Sequence, residues 1–238
     1  MENKSSAIPT AIIIAGLIIA GSIFYTSRNK PSNETKIENK TAEEKQSSSD
    51  ADNIKSITSQ DHILGNPDAS VKIVEFSDAE CPFCKKFHGT MHQLIDEYGK
   101  TGEVAWVYRH FPLDQLHSKA RKEAEATECA AELGGNDKFW NYLDRLFEIT
   151  PSNNNLDPAE LPRIAEYVGL SRADFEQCLE SGKYAGRVQE NIDDAIKSGG
   201  TGTPYSVVIA KNGKKSVINR ALPYSMVKSA VEAALQEK

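Results

Sequence analysis

Two cysteines stand three positions apart in Ser77-Asp78-Ala79-Glu80-Cys81-Pro82-Phe83-Cys84-Lys85-Lys86-Phe87-His88, directly after the apolar run at residues 71–76 (VKIVEF). Thiols so placed have three uses: to clip a metal, to staple a fold, or to cycle between dithiol and disulfide. A thiol at the first turn of a helix faces unpaired N–H groups and the positive end of the helix dipole. Both stabilise a thiolate and lower its pKa from about 8.5 into a range of roughly 3.5–7.5. Pro82 at the first helical position gives up no needed hydrogen bond and fixes φ, which holds the pair close together. On this reading Cys81 is the exposed attacking sulfur and Cys84 the shielded resolving one.

A metal reading would add His88 and His92 to the two cysteines. If all four side chains lay on one helix, Cys81 and His92 would be about 16 Å apart along its axis, whereas zinc holds sulfur ligands at about 2.3 Å. One site of these four is therefore excluded, while a partial site of Cys81, Cys84 and distant groups stays open. The two histidines are expected as solvated helix residues, with tuning of the thiols by His88 as the alternative.

The elements that must position the thiols follow from periodicity. Residues 71–76 and 103–110 (EVAWVYRH) read as strands. Between them Phe83, Phe87, Met91, Leu94, Ile95 and Tyr98 recur at helical spacing, so strand, helix and strand form a parallel βαβ unit. Residues 116–197 read as several helices, broken at Gly134-Gly135, at residues 151–158 and at Gly169. Residues 205–210 and 216–220, joined across Lys211-Asn212-Gly213-Lys214, read as a hairpin, and residues 224–236 as a closing helix.

Upstream, residues 7–25 (AIPTAIIIAGLIIAGSIFY) carry no charge. Nineteen residues at about 1.5 Å rise span roughly 28 Å, enough for a single membrane anchor. The competing expectation is an export signal cleaved near Ala20-Gly21-Ser22. Residues 26–60, rich in Ser, Asn, Lys and Glu, read as a disordered linker. The expected order is an anchor or signal segment at 1–25, a linker at 26–60 and a domain at 61–238. A formal charge of −6 in 238 residues, with no basic stripe, excludes a nucleic-acid partner.

Taken together, IVEFSDAECPFCKKFH, VYRHFPL, AEATECAAELG, KFWNYLDRLF and GTGTPYSVVIAKNG resemble the DsbA-like branch of the thioredoxin superfamily across about residues 61–238. The resemblance implies an α/β thioredoxin fold with a helical insertion at about 115–198, and thiol–disulfide exchange outside the cytosol without a cofactor. It implies that Pro204, after Thr203, is the cis-proline beside the active disulfide, and that Glu75 is an acid beneath it able to move a proton to or from Cys84. The partners it implies are exported proteins with thiols and a quinone-linked membrane protein that recycles the enzyme. Phe83 departs from the histidine found inside the motif of well-known relatives, so the likeness does not set the strength of oxidation. Some relatives carry a second disulfide in the helical insertion. With an even cysteine count in an exported chain, that favours a structural Cys129–Cys178 bond over two buried free thiols. The same residues serve an oxidase, a reductase or an isomerase. A non-redox chaperone or metal-binding module is the alternative of a different class.

Overall fold

Residues 50–237 are described by the structure, a computed structural model, and all of them lie in the second of two units, 45–238. The apolar run at 7–25 and most of the proposed linker fall outside the described residues. Among the described residues no helix is long and apolar enough to cross a membrane.

Five strands form one sheet: β1 (His62–Gly65), β2 (Val71–Ser77), β3 (Val104–His110), β4 (Tyr205–Ile209) and β5 (Lys215–Ile218), in the order β1-β3-β2-β4-β5. β2 and β3 run parallel, with Val71 opposite Val104 and Ser77 opposite His110, and the other neighbours pair antiparallel. The crossover between β2 and β3 is α1 (Pro82–Leu94), extended by a π turn at Ile95–Gly99. The helical block comprises α2 (Ala120–Ile149), α3 (Glu160–Tyr167), α4 (Arg172–Ser181) and α5 (Ala185–Lys197), and α6 (Tyr224–Gln236) closes the chain. The expected break at Gly134-Gly135 is a kink: Gly135 has φ 75° and ψ −170° within α2, a conformation that costs a residue with a Cβ far more than glycine.

β2 and β3 are apolar almost throughout because both faces are covered. Val71, Ile73, Trp106 and Tyr108 face α1 and α6 together with Phe87, Met91, Leu94 and Val227. Val74, Phe76 and Val107 face the opposite way, against Val188, Ile192 and Ala195 of α5. Each such large side chain taken fully out of water contributes about 1.5–3 kcal/mol. A third cluster, built on Tyr142, Leu146, Ile164 and Phe175, holds α2, α3 and α4 together.

Two expectations need correction. The short edge strand β1 is absent from the sequence reading. In addition, residues 50–60 are not all linker: Ala51 and Ile54 are buried against the sheet. The reason is Arg109 on β3. Its guanidinium bonds Asp61 (Nε–Oδ1, 2.7 Å) and Asp194 of α5 (Nη1–Oδ2, 2.6 Å), and it donates to the carbonyls of Lys55 (3.0 Å) and Ser56 (3.2 Å). A buried fork of donors satisfied by two carboxylates and two carbonyls pins the segment that composition alone assigns to coil.

Candidate active site

Cys81 is the N-cap of α1, with extended backbone (φ −80°, ψ 120°), and Pro82 occupies the first turn. The loop before it is tied down locally: Cys81 N–H donates to the Asp78 carbonyl (3.1 Å), and Lys85 N–H donates to the Cys81 carbonyl (3.0 Å). The buried stripe of the helix, Cys84, Phe87, His88, Met91 and Leu94, follows the spacing of one helix face, so Cys84 turns inward with the core residues. Both cysteines are free thiols and both are buried, so Cys81, expected as the exposed sulfur, is only 4% exposed because the Thr203–Pro204 segment lies against it. Cys81 Sγ lies 3.6 Å from the Thr203 carbonyl, and Cys84 Sγ accepts from the backbone N–H of Asp78 at 3.5 Å. The Thr203–Pro204 bond is cis. β4 therefore begins beside the sulfurs, and the structure brings Cys81, Cys84, Thr203 and Pro204 to one place.

The two thiols are electrostatically opposite. Cys81 is lowered to about 6, first by the hydrogen bond from the Cys84 side chain and then by the backbone N–H groups of Cys84 and Phe83 and by Thr203, against the opposing effect of its own burial. Cys84 is raised well above the ordinary thiol range, chiefly by complete burial and then by Cys81. At neutral pH one sulfur is a nucleophile and the other holds its proton.

Glu75 is fully buried on β2, and neither carboxyl oxygen has a hydrogen-bond partner among the described residues. Burial pushes it up to about 8, a rise that the nearby polar groups of Ser77 and Trp106 only partly offset. Once ionised, it also holds the Cys84 thiol up further. A neutral carboxylic acid thus sits within electrostatic reach of the resolving sulfur.

Phe83 marks the exposed side of the site. Phe83 is 65% exposed, and with Thr201, Thr203, Pro204, Asn219 and Arg220 it lines an open cavity of about 330 Å³. The model of the thioredoxin family matches residues 57–233. The chain belongs to that family, as a DsbA-like oxidoreductase. The crystal structure of Pseudomonas aeruginosa DsbA2 is 27% identical, covers 77% of this chain and 100% of that one, and superposes with a TM-score of 0.65. Oxidised BdbD from Bacillus subtilis is 25% identical, with 74% and 94% covered and a TM-score of 0.65. In sequence the chain is also similar to a Na(+)/H(+) antiporter, NhaA 3, of Salinispora tropica, 36% identical over 156 residues. That match takes in 66% of this chain and 22% of the antiporter, so the chain spans about a fifth of that relative's length.

Within this DsbA-like site the sequence reading missed the groups that hold the active loop. Asp78 accepts from the backbone N–H groups of Glu80 (2.8 Å) and Leu113 (2.7 Å) and pairs with His117 Nδ1 (2.8 Å). Glu80 accepts from Asn154 N–H (2.6 Å), which ties the loop to the helical insertion, while Glu123 is pushed up to about 9 by burial and by Glu80 beside it. The two acids in the loop ahead of the CxxC, Asp78 and Glu80, were the available signal. His88 and His92 also differ from expectation: His88 is buried and His92 half-buried, and both rest on Asp144 of α2. Cys129 and Cys178 are joined, linking α2 to α4 well away from the redox pair in the chain.

Proposed function

We propose that this chain oxidises thiols of exported proteins to disulfides, outside the cytosol and tethered to a membrane. The observation that carries the proposal is the asymmetry of the pair, an activated Cys81 at a helix start above a fully buried Cys84. In the oxidised enzyme a substrate thiolate attacks Cys81 Sγ, the Cys81–Cys84 bond breaks, and Cys84 leaves with the electron pair. Cys84 then takes a proton, for which protonated Glu75 is the nearby source. A second substrate thiolate attacks the substrate sulfur of the mixed disulfide, forming the product disulfide and releasing Cys81. The low pKa of Cys81 makes it the better leaving thiolate and stabilises the reduced enzyme, as an oxidant requires. Two electrons remain on the enzyme, so a membrane partner passing them to quinone is part of the proposal.

Two features support the cellular placement and a third the substrate. The uncharged run at 7–25 has the length of a bilayer span. Cys129–Cys178 is a bond of a kind that persists in oxidising compartments. The cavity beside Phe83 and Pro204 is open, as an extended protein substrate needs. The test is the reduction potential of Cys81–Cys84 in the full chain, equilibrated with glutathione buffers. A value towards about −120 mV is expected, whereas one near about −270 mV would make the protein a reductant. Absence of exchange at any poise would end the redox reading.

A further inference from the structure

Outside the thiol pair, three side chains converge that the exchange steps above do not use. His88 and His92 are one turn apart on α1, so they share a face. Their Nε2 atoms are 3.2 Å apart, and each lies 2.8 Å from the same oxygen, Oδ1 of Asp144 on α2. Aromatic rings hold the imidazoles in place: Trp106 meets both edge-on at 5.2 and 5.4 Å between centroids, and Phe147 lies 4.6 Å from His88. His92 and Asp144 keep part of their side chains in solvent, so the convergence point is reachable from outside.

We propose that His88, His92 and Asp144 bind a divalent transition-metal ion, with zinc as the best match, at a site that ties the helix carrying both cysteines to the helical insertion. Two imidazoles and one carboxylate select zinc and its neighbours over magnesium or calcium, which take oxygen ligands. A tetrahedral ion with bonds of about 2.0–2.1 Å sets its ligand atoms about 3.3 Å apart. The separations here are 2.8, 2.8 and 3.2 Å, so an outward adjustment of a few tenths of an ångström admits the ion. Water takes the fourth position on the solvent side. Nδ1 of His88 has no hydrogen-bond partner among the described residues. Loss of such outer support typically costs about 10–100-fold in affinity, so the ion exchanges readily and is sought by titration rather than by co-purification. No cysteine belongs to the site, so binding there is read separately from thiol exchange.

The test titrates Co²⁺ and then Zn²⁺ into the full chain with Cys81–Cys84 oxidised, so that no thiolate competes as a ligand. The expected result is one ion per chain, the intense visible bands of tetrahedral Co²⁺ without sulfur charge transfer, displacement by Zn²⁺, and indifference to excess Mg²⁺ or Ca²⁺. His92→Gln and Asp144→Ala, at partly exposed side chains, are expected to lose at least tenfold in affinity. They should also lose the rise in melting temperature that Zn²⁺ gives the unaltered chain through binding only the folded state. No saturable binding, binding unchanged in both variants, or binding that appears only after reduction of the cysteines would each overturn the proposal.

Discussion

The separation of the two thiols has a consequence in the pH dependence of the reduction potential. With Cys81 at about 6, its thiolate outnumbers its thiol about tenfold at pH 7. Relative to an ordinary cysteine near 8.5, this stabilises the reduced enzyme at pH 7 by about 1.4 kcal/mol, or about 30 mV for a two-electron couple. Below pH 6 reduction takes up two protons with the two electrons, and the potential falls by about 59 mV per pH unit. Above it Cys81 stays ionised and only Cys84 takes a proton, so the slope halves to about 30 mV per unit. Cys84 is raised well above its usual range, so no second break follows at moderately alkaline pH.

The assay equilibrates the full chain with glutathione from pH 4 to pH 9 and traps the thiols by rapid alkylation. A slope near 59 mV maintained through pH 8 would show that Cys81 is an ordinary thiol and that the helix start does not activate it. A slope falling to zero below pH 9 would show that Cys84 also ionises, against its complete burial. The main stabiliser of the Cys81 thiolate is the Cys84 S–H, so in Cys84→Ala the pH midpoint for alkylation of Cys81 should move upward.

Glu75, raised to about 8 from about 4.3 in the unfolded chain, keeps in the folded state a proton that the unfolded state releases. Its contribution is therefore most favourable below about pH 4 and is eroded as pH rises towards 8, by about 4 kcal/mol at pH 7. Glu75→Gln should gain melting temperature relative to the unaltered chain at pH 8 and little at pH 5; parallel curves would refute the shift. Removing the Cys129–Cys178 bond by double serine substitution opens a loop of 49 residues and should cost about 4 kcal/mol in denaturant unfolding, with the reduction potential of Cys81–Cys84 unchanged. Arg109→Met leaves Asp61 and Asp194 without their buried partner and should cost about 3–5 kcal/mol, exposing residues 50–60 to protease before the rest of the domain.

What the sequence makes legible is local. Pro82 between the cysteines, the 3.6-residue stripe behind them, the β-branched run before them and the Asn-Gly turn each act within a few residues, and each corresponds to an element seen here. The motif VYRHFPL is informative in a different way. It signals the family, while its physical work is to anchor distant chain: Arg109 holds residues 55–61, His110 pairs with Glu128 of α2 (2.9 Å), and Phe111 N–H donates to the Ser77 carbonyl (2.7 Å) just ahead of the active loop. No periodicity marks such contacts, because a buried arginine in an apolar strand looks like an interruption until its carboxylates arrive from elsewhere. β1 is hidden for a related reason: four edge residues that run from buried His62 to exposed Gly65 have too little alternation to register, and only pairing with β3 makes them a strand.

The histidines show the same limit in its most consequential form. A spacing of four on one helix face is visible in the sequence, and rejecting a site with both cysteines on that helix is sound geometry. The third ligand, Asp144, stands 52 residues beyond His92, and the packing of α2 on α1 brings it to within 2.8 Å of both rings. Burial of His88 follows from the same packing, since Phe147 is on Asp144's own helix and Trp106 on the strand beneath. A pair that looks solvated on an isolated helix becomes a three-sided cage once the insertion folds back. The cage therefore depends on the insertion, and any substitution that loosens α2 from α1 should weaken metal binding before it disturbs Cys81, whose stabilising groups come from the helix start and Thr203.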